Sequence, residues 1–325
     1  MDRRQFSAWA CGVTLGGRPS TGASQPTKTW RIGVVLPGGP YYAAVEGLRE
    51  GLNEAGLKEG AQYILELRDE QGDLRAAAAA AQALEQSGVD ILFTLPTSVS
   101  VAAKRATARV PIVFWAGNDA VDAGLVASQS RPGGRLTGIS SLSTLVTGKR
   151  LQLLKEIAPN IRRAITFYDS GNLAAVSSVA LARSAAMQLG IDLVEHQVQS
   201  PAELLGALAT LKADKVDAIF LVSDGMVISQ SSAIIAACRA SKLPTMFSDR
   251  GAVIAGGLAS YGSNYHAVGK LAATYVHKVL RGANPAELPV INVDHLELVI
   301  NSRTASELGL TIPSTVLVRA DAVVQ

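Results

Sequence analysis

Five apolar runs along the chain each end in a cluster of small polar residues, and a segment with helical periodicity follows each cluster. The runs cover residues 32–36, 91–95, 112–115, 164–168 and 218–222. In parallel strand–helix units, the residues after the strands meet in a crevice outside the carboxyl ends of the strands, where open α/β sheets bind their ligands. The pattern therefore predicts a cleft that holds a small molecule.

Helix boundaries are well marked in this pattern. Asp73 is a suitable N-cap for the alanine run that follows it, and Gly88 is a suitable residue just beyond the end of that helix. The segment Ser200-Pro201-Ala202-Glu203 has the form of a capping box with proline at the first helical position. Both segments predict helices that begin and end sharply.

The chain alternates between strand and helix patterns in two series. The first series predicts strands at 31–36, 63–68, 90–95 and 111–115, with helices at 42–55, 74–87 and 98–107. The second predicts strands at 163–168, 191–198, 217–222 and 244–247, with helices at 148–158, 173–189, 201–213 and 228–241. Such alternation is typical of an α/β fold with parallel sheets and helices on both faces.

A stretch rich in Gly, Ser, Asn and Asp, residues 117–147, interrupts the alternation and suggests a passage between two lobes. A strand at 257–261, a helix at 265–281 and a strand at 296–301 follow the second series, which favours further crossings and a multi-strand hinge. The predicted division is 1–29 as export signal and linker, 30–142 with about 254–288 as the first lobe, and 143–253 with about 289–325 as the second.

Composition narrows the classes of partner. The 325 residues, 48% of them hydrophobic, suffice for two medium-sized cores. The net charge is only +3 and the basic residues are scattered, so we expect no nucleic-acid partner. The two cysteines, Cys11 and Cys238, form neither a disulfide framework nor a CxxC metal motif.

The amino-terminal segment contains Arg3-Arg4-Gln5-Phe6 and continues with a short apolar stretch and small residues. The apolar stretch is far shorter than the roughly 20 residues of a membrane span. It predicts a cleaved, twin-arginine-like export signal, cut near Ala23, and a periplasmic protein without a membrane span in its mature form. A disordered leader, the general export route and lipid attachment at Cys11 remain open alternatives.

Sequence motifs of common enzymes are missing. The chain contains no G-x-G-x-x-G, G-x-x-x-x-G-K-[ST], G-x-S-x-G or H-E-x-x-H segment. His266 and His277 share a face of one predicted helix but would stand roughly 16 Å apart along its axis, too far to share a metal ion. We therefore expect no catalytic residue, no metal and no cofactor.

The polar clusters supply most candidate ligand-binding residues. Thr97 and Ser98 begin a predicted helix, whose free N–H groups favour a carboxylate. An aspartate in such a cluster can face the amino group of a ligand. The same residues also fit ordinary helix caps and turns, and both alternatives stay open. The candidates from these clusters are Thr97, Ser98, Asn118, Asp119, Asp169, Ser170, Asn172, Ser223, Asp224 and Asp249.

Three tyrosines complete the candidate site. Tyr41 and Tyr42 follow a Gly-Gly turn after the first strand, where an aromatic ring can cover a ligand. Tyr261 ends the short strand at 257–261 and can present its hydroxyl to the cleft. Packing against the core is the alternative for each of them.

Framework segments from about Trp30 to the end of the chain carry a family resemblance. They include Val110-Pro111-Ile112-Val113-Phe114, Ser130-Arg131-Pro132-Gly133-Gly134, Leu154-Lys155-Glu156-Ile157-Ala158-Pro159, Gly256-Gly257-Leu258-Ala259-Ser260-Tyr261-Gly262, Leu280-Arg281-Gly282-Ala283-Asn284-Pro285, Glu297-Leu298-Val299-Ile300-Asn301 and Leu308-Gly309-Leu310-Thr311-Ile312-Pro313. Through them the chain resembles the substrate-binding proteins of ABC transporters typified by the tryptophan-binding TrpX-like proteins.

The resemblance implies a type I periplasmic-binding-protein fold, with two Rossmann-like lobes joined by a multi-strand hinge, and delivery of a solute to a membrane permease. It also implies an aromatic amino acid whose carboxylate is held at helix N-termini of the first lobe. The matching positions are Thr97, Ser98, Asn118 and Asp119 in the first lobe, with Ser223 and Asp224 on the second. Relatives often carry a lysine and an aromatic residue where this chain has Val293-Asp294-His295, so the identity of the solute stays open.

The sequence thus predicts an exported solute-binding protein that captures an amino acid or related carboxylate and performs no chemistry. Two alternatives belong to other classes. A ligand-sensing regulator of the same fold needs a helix-turn-helix, and residues 1–29 are too short and glycine-rich to supply one. A Rossmann-type, nucleotide-dependent enzyme needs the missing glycine fingerprint.

Overall fold

The computed structural model describes residues 28–212, 214–293 and 295–325, so the predicted export signal, the cleavage site near Ala23 and Cys11 lie outside the described residues. The described strands are β1 (Trp30–Leu36), β2 (Tyr63–Asp69), β3 (Ile91–Thr94), β4 (Ile112–Ala116), β5 (Leu136–Ser140), β6 (Arg163–Tyr168), β7 (Asp192–Gln197), β8 (Ala218–Phe220), β9 (Thr245–Phe247), β10 (Ala259–Gly262), β11 (Ile291–Asn292), β12 (Glu297–Asn301) and β13 (Ala322–Val324).

Helices connect most of these strands. The described α-helices are α1 (Tyr42–Glu54), α2 (Leu74–Gln86), α3 (Thr97–Ala106), α4 (Thr147–Ile157), α5 (Leu173–Leu189), α6 (Pro201–Ala209), α7 (Gly225–Ser229), α8 (Ser231–Ser241), α9 (Arg250–Ile254), α10 (Tyr265–Leu280), α11 (Ser302–Glu307) and α12 (Ser314–Leu317), and 3-10 turns cover Gly39–Tyr41 and Pro285–Glu287.

The strands form two sheets, one for each lobe. Within the described residues the first sheet has the order β11-β5-β4-β3-β1-β2, and all its neighbouring strands run parallel. The second has the order β13-β12-β10-β9-β8-β6-β7, in which β12 and β13 run antiparallel to the other strands. The prediction of an α/β protein with two parallel sheets is confirmed.

Burial explains why the apolar runs become central strands. Every residue of β3, β4 and β8 is buried, as expected for parallel strands covered on both faces. In contrast, β2 and β7 lie at the edges of their sheets and are only partly buried. Their mixed composition fits this position.

Several elements differ from the sequence prediction, among them β5 and the pair α7 and α8. The stretch 117–147, predicted as a passage between lobes, contains the fully buried strand β5. Its Gly138 allows close approach to β4, because a Cβ there would stand 2.0 Å from the carbonyl oxygen of Phe114. The predicted helix 228–241 is two helices, α7 and α8, which meet at Gln230. Short polar residues within β5 and at the junction of α7 and α8 interrupt the hydrophobic pattern, so the pattern predicts neither β5 nor the break between the two helices.

The chain passes between the sheets three times within the described residues, after β5, after β10 and between β11 and β12. Pairing with β9 and β12 places β10 in the second sheet, whereas the predicted division put residues 254–262 in the first lobe. Pairing with β5 likewise places β11 in the first sheet, whereas the sequence prediction places residues 289–293 in the second lobe. The sheet contacts therefore move both boundaries by several residues.

Helix α10 returns the chain to the first lobe by packing along α1. Gly47 and Gly269 bring the two backbones together, since a Cβ on Gly47 would stand 1.9 Å from the carbonyl oxygen of His266, and one on Gly269 would stand 1.9 Å from that of Ala44. This contact fixes the amino-terminal end of α10, and with it Tyr265, at the edge of the cleft.

Candidate ligand-binding site

A cavity lies between the lobes at the carboxyl ends of the strands. Its open space, including the mouth, is about 450 Å³. Its lining combines aromatic rings at one end with small polar groups at the other. The lining residues are Tyr41, Pro96, Thr97, Ser98, Trp115, Gly117, Asn118, Ser141, Ser143, Asn172, Ala174, Ser223, Gly225, Ile228, Ser263 and Tyr265.

Three aromatic rings of the first lobe form one end of the cavity. Tyr41 and Tyr265 are stacked, with ring centroids 5.3 Å apart, and Trp115 meets Tyr265 edge-on at 4.5 Å. The indole nitrogen of Trp115 donates to Ser141 Oγ at 3.1 Å. The rings are therefore held in fixed orientations and offer an apolar surface to a bound group.

The tyrosine hydroxyls at this end remain neutral over the ordinary pH range. Burial raises the pKa of Tyr41 and of Tyr265 well above the usual value, and the nearby carboxyl of Asp249 raises both further. The Tyr265 hydroxyl lies 3.3 Å from Ser248 Oγ in the second lobe. The two tyrosines can therefore form hydrogen bonds through their hydroxyls as well as apolar contacts through their rings.

The amino-terminal end of α3 borders the polar end of the cavity. Its N-cap is Pro96, and no side chain caps its first turn. Thr97 Oγ1 accepts from the Gly117 N–H at 2.9 Å and donates to Asn118 Oδ1 at 3.1 Å, so Asn118 turns its amide nitrogen away from this contact. Free backbone and amide N–H groups at a helix N-terminus favour an anion.

The second lobe contributes smaller groups to the lining. Ser223 Oγ lies 3.4 Å from Ser143 Oγ, and the Ser223 N–H donates to Ser178 Oγ at 3.0 Å. Asn172 Oδ1 accepts from the Ala174 N–H and caps α5. The Ser263 hydroxyl, which also lines the cavity, is buried and has no hydrogen-bond partner among the described residues.

Asp224 is buried behind this lining as a helix cap. Its Oδ1 accepts from Val227 N at 3.1 Å, and its Oδ2 accepts from Asp169 N at 2.9 Å and from Asn172 Nδ2 at 3.4 Å. Burial raises its pKa to about 6, and the backbone hydrogen bonds limit the rise. These bonds leave the carboxylate little capacity to hold a ligand.

Asp249 is also buried and caps α9, but it is less fully engaged. Its Oδ1 accepts from Ala252 N at 2.9 Å, while its buried Oδ2 has no hydrogen-bond partner among the described residues. Burial raises its pKa to about 6. This carboxyl lies near the paired tyrosines but does not line the cavity.

The cavity brings together six of the predicted residues, and seven others lie outside its lining. Tyr42 is exposed and donates from its hydroxyl to Asp69 Oδ2 at 2.7 Å. Tyr261 packs against the core of the second lobe. The six that line the cavity are Tyr41, Thr97, Ser98, Asn118, Asn172 and Ser223, and the seven that do not are Tyr42, Asp119, Asp169, Ser170, Asp224, Asp249 and Tyr261.

Turn formation accounts for three of the residues outside the lining. Asp119 Oδ1 accepts from the N–H groups two and three residues further on, and Asp169 Oδ1 accepts from Gly171 N at 2.8 Å. Ser170 is exposed in the same turn. For these residues, the alternative of ordinary turn chemistry describes the structure.

Sequence reasoning did not select several lining residues. Trp115 ends an apolar run and reads as core, although it directly precedes the cluster at Gly117. Ser141 and Ser143 lie in the stretch that was predicted as a linker, and Tyr265 begins a predicted helix. The position of Trp115 at a strand end is a usable signal, whereas the serines become recognisable only once β5 is known.

The lobes are in contact around the cavity. A Cβ on Gly39 would stand 2.3 Å from the carbonyl oxygen of Ser229, and a Cβ on Gly225 would stand 2.7 Å from Pro96 Cγ. Glycine is required at both positions for this separation of the lobes. The structure is therefore a closed arrangement.

The described residues contain no group of three or more His, Cys, Asp or Glu side chains placed to hold a metal ion. No described helix is both long and apolar enough to cross a membrane. Two α/β lobes, three connecting segments and a small cavity at the strand ends define a solute-binding protein of the type I periplasmic fold.

Comparison with known sequences leads to the same class. The sequence profile of the family "ABC transporter substrate binding protein" matches residues 31–324. The chain belongs to this family, and it is a substrate-binding protein of an ABC transporter. The predicted family resemblance and function are confirmed.

Relatives with described ligands are found at moderate identity. The chain is 26% identical over 267 residues to a "Tyrosine-binding protein" of Clostridioides difficile (strain R20291), covering 82% of this chain and 76% of the relative. It is 28% identical to a domain from Streptococcus pneumoniae solved in complex with L-Trp, with a TM-score of 0.81, covering 91% of this chain and all of the other.

A third comparison separates the closed and open arrangements. A ligand-free, open substrate-binding protein with adhesive properties from Clostridium difficile is 25% identical over 91% of this chain and all of its own, but its TM-score is only 0.59. The L-Trp complex, at nearly the same identity, reaches 0.81. The lobes of this chain are therefore arranged as in the liganded relative, in agreement with the glycine contacts.

Proposed function

We propose that this protein captures an aromatic L-amino acid between its lobes and delivers it, chemically unchanged, to the permease of an ABC transporter. The observation that carries the proposal is the cavity itself, where the rings of Tyr41, Trp115 and Tyr265 face an uncapped helix end. An aromatic side chain fits one end and an α-carboxylate fits the other. The ligands of the two relatives have this chemistry.

The proposed contacts follow from this orientation. The amide nitrogen of Asn118 and the first N–H groups of α3, at Thr97 and Ser98, donate to the carboxylate. Ser223 closes over the same group from the second lobe, and Tyr41 stacks on the aromatic side chain.

Thermal unfolding with a panel of the common L-amino acids tests the proposal. We expect L-Tyr, L-Trp or L-Phe to raise the Tm most, with about 2.7 kcal/mol of stabilisation at 100 times the Kd. Isothermal titration then gives the affinities of the wild type and of Tyr41→Ala, which removes the stacking ring. Tyr261→Phe changes a tyrosine outside the cavity and is the control. A shift only with aliphatic amino acids or sugars contradicts the proposed class of solute.

Export and transport complete the proposal. A signal within residues 1–29, cleaved near Ala23, would carry the protein to the periplasm, and the Arg3-Arg4 pair suggests the twin-arginine route. Cell fractionation with amino-terminal sequencing tests the compartment and the cleavage site. Replacement of both arginines by lysine distinguishes the routes, because the general route tolerates the change. Loss of labelled tyrosine uptake in a deletion strain tests delivery to the permease.

A further inference from the structure

Arg150 is a fully buried cation beside the polar end of the cavity. It lies in the first turn of α4 and has no exposed surface. One nitrogen, Nη2, donates to the carbonyl oxygen of Ser143 at 2.7 Å, to Thr147 Oγ1 at 3.1 Å and to Ser223 Oγ at 3.2 Å. Ser143 and Ser223 line the cavity, so the guanidinium lies directly behind the cavity wall.

The guanidinium is only partly satisfied. Its Nε and Nη1 are buried and have no hydrogen-bond partner among the described residues. No ion pair joins it to a carboxylate of the described chain. Burial lowers the pKa of Arg150 to about 10, which still leaves the group protonated at neutral pH.

Neither burial nor helix position stabilises this charge. A cation near a helix N-terminus meets the positive end of the helix dipole, and a buried charge without a partner costs free energy. A neutral donor would satisfy the carbonyl of Ser143 at lower cost. The positive charge therefore needs an explanation other than support of the local backbone.

The polar end of the cavity lies between Arg150 and the amino-terminal end of α3. A Cβ on Gly117 would stand 3.7 Å from Ser143 Cβ and 3.9 Å from Thr97 Oγ1, and Ser143 is 3.4 Å from Ser223. The serines that Arg150 contacts are thus next to the groups proposed to hold the carboxylate. An anion placed among them faces a helix N-terminus on one side and a guanidinium on the other.

We infer that Arg150 is a specificity-determining residue that selects solutes with a carboxylate at the polar end, acting through Ser143 and Ser223. The inference rests on the proposed function for its choice of test ligands. Ser223 Oγ accepts from Arg150, so its own hydrogen can be donated to the carboxylate. The bound anion supplies the negative charge that the protein lacks at this point.

The test compares L-tyrosine with L-tyrosinamide, which replaces the carboxylate by a neutral amide. Titrations use the wild type, Arg150→Met and Arg150→Lys. We expect the wild type to prefer tyrosine by about 100-fold and Arg150→Met to reduce this preference by about tenfold or more, as for hydrogen bonds to charged groups. Arg150→Lys should retain most of the preference because it retains the charge.

Arg135→Met is the matched control. Arg135 is partly buried and donates to backbone carbonyls, at Val110, Lys104 and Thr107, but it does not line the cavity. Its replacement should leave the preference for tyrosine unchanged. If Arg150→Met weakens both test ligands by the same factor, Arg150 is only structural and the inference is wrong.

A second measurement separates this inference from the proposed solute. If the wild type binds neither tyrosine nor tyrosinamide, the proposed class of solute fails, and sodium formate becomes the test ligand. Formate should then raise the Tm of the wild type and of Arg150→Lys above that in sodium chloride of equal concentration, but not that of Arg150→Met. Equal Tm values in the two salts for all three proteins overturn the inference.

Discussion

Both lobes place polar residues at the strand ends around the cavity, but they use these residues differently. In the first lobe, α3 begins at Thr97 without a side-chain cap. In the second lobe, α5, α7 and α9 are each capped by their own side chain, from Asn172, Asp224 and Asp249 respectively. Around the cavity, the same sequence pattern therefore leaves N–H groups free at α3 in the first lobe and engages them at α5, α7 and α9 in the second.

A side-chain cap satisfies N–H groups of the first helical turn, so the helix end has less to offer a ligand. An uncapped end retains those donors for an anion. We expect the first lobe to provide most of the recognition, and the second to provide closure and a buried charge.

Among the variants that test this difference between the lobes, Asp224→Ala should have the largest effect, a loss of stability. The change removes the acceptor for Val227 N and Asp169 N in a buried place, so it should lower the free energy of unfolding by about 3 kcal/mol. Chemical denaturation measures the loss. Asp73→Ala, which removes an exposed cap of α2, should cost only about 1 kcal/mol.

The opposite result would show that the lobes do not differ in this way. If Asp224→Ala keeps its stability but loses affinity for the solute, its carboxylate serves the ligand and the second lobe takes part in recognition as the first does.

The second prediction concerns pH and Asp249. Because burial raises its folded pKa to about 6 from an ordinary value near 3.8, the folded state binds the proton more tightly than the unfolded state. The resulting stabilisation is fully present below the ordinary value and is lost as the pH rises through about 6. Asp249→Asn should therefore remove about 2 kcal/mol of the stability difference between pH 4 and pH 7.

Urea denaturation of the ligand-free protein at several pH values measures this effect. Asp224 has a raised pKa as well and should maintain part of the pH dependence in Asp249→Asn. Parallel stability curves for the wild type and the variant would contradict the assignment.

The sequence predicted the fold more completely than the site. The apolar runs became buried central strands, because burial on both faces of a parallel sheet requires nearly continuous hydrophobic residues. Strand β5, with the sequence Leu-Thr-Gly-Ile-Ser, was not predicted as a strand. Its polar residues are buried by pairing with β4 and β11, which the hydrophobic pattern does not indicate. That pairing joins distant segments and has no local signal.

The candidate site shows the same limit. Thr97 and Asp224 look alike in sequence, as polar residues that follow a strand and precede a helix. Only the hydrogen bonds show that one borders an uncapped helix end and the other is an engaged cap. Tyr265 and Arg150 reach the site from helices far apart in sequence, so no local pattern joins them.

The third prediction concerns closure. A Cβ on Gly225 would stand 2.7 Å from Pro96 Cγ, so Gly225→Ala should hold the lobes slightly apart and weaken binding by about tenfold. The stability of the ligand-free protein should change little. Gly206→Ala, on α6 with no atom within 4 Å of the added Cβ, is the matched control and should leave affinity unchanged.

Small-angle scattering with saturating ligand checks the mechanism. Gly225→Ala should compact less than the wild type on adding ligand. Equal compaction and equal affinity would mean that the second lobe can shift to accept the methyl group, and that its contact with α3 does not limit closure.

The smallest expected effect is a loss of affinity that distinguishes Asn118 from its neighbour Asp119, just after β4. Asn118 has an amide nitrogen free to donate to the carboxylate, so Asn118→Ala should weaken binding of an aromatic amino acid by about fivefold and leave the unfolding free energy within about 0.5 kcal/mol. Asp119 is engaged in its turn and with Gln129, so Asp119→Ala should lower stability without changing affinity. Titration and denaturation of both variants decide whether recognition depends on the free polar atom or merely on the position at the strand end. Equal losses of affinity would favour position.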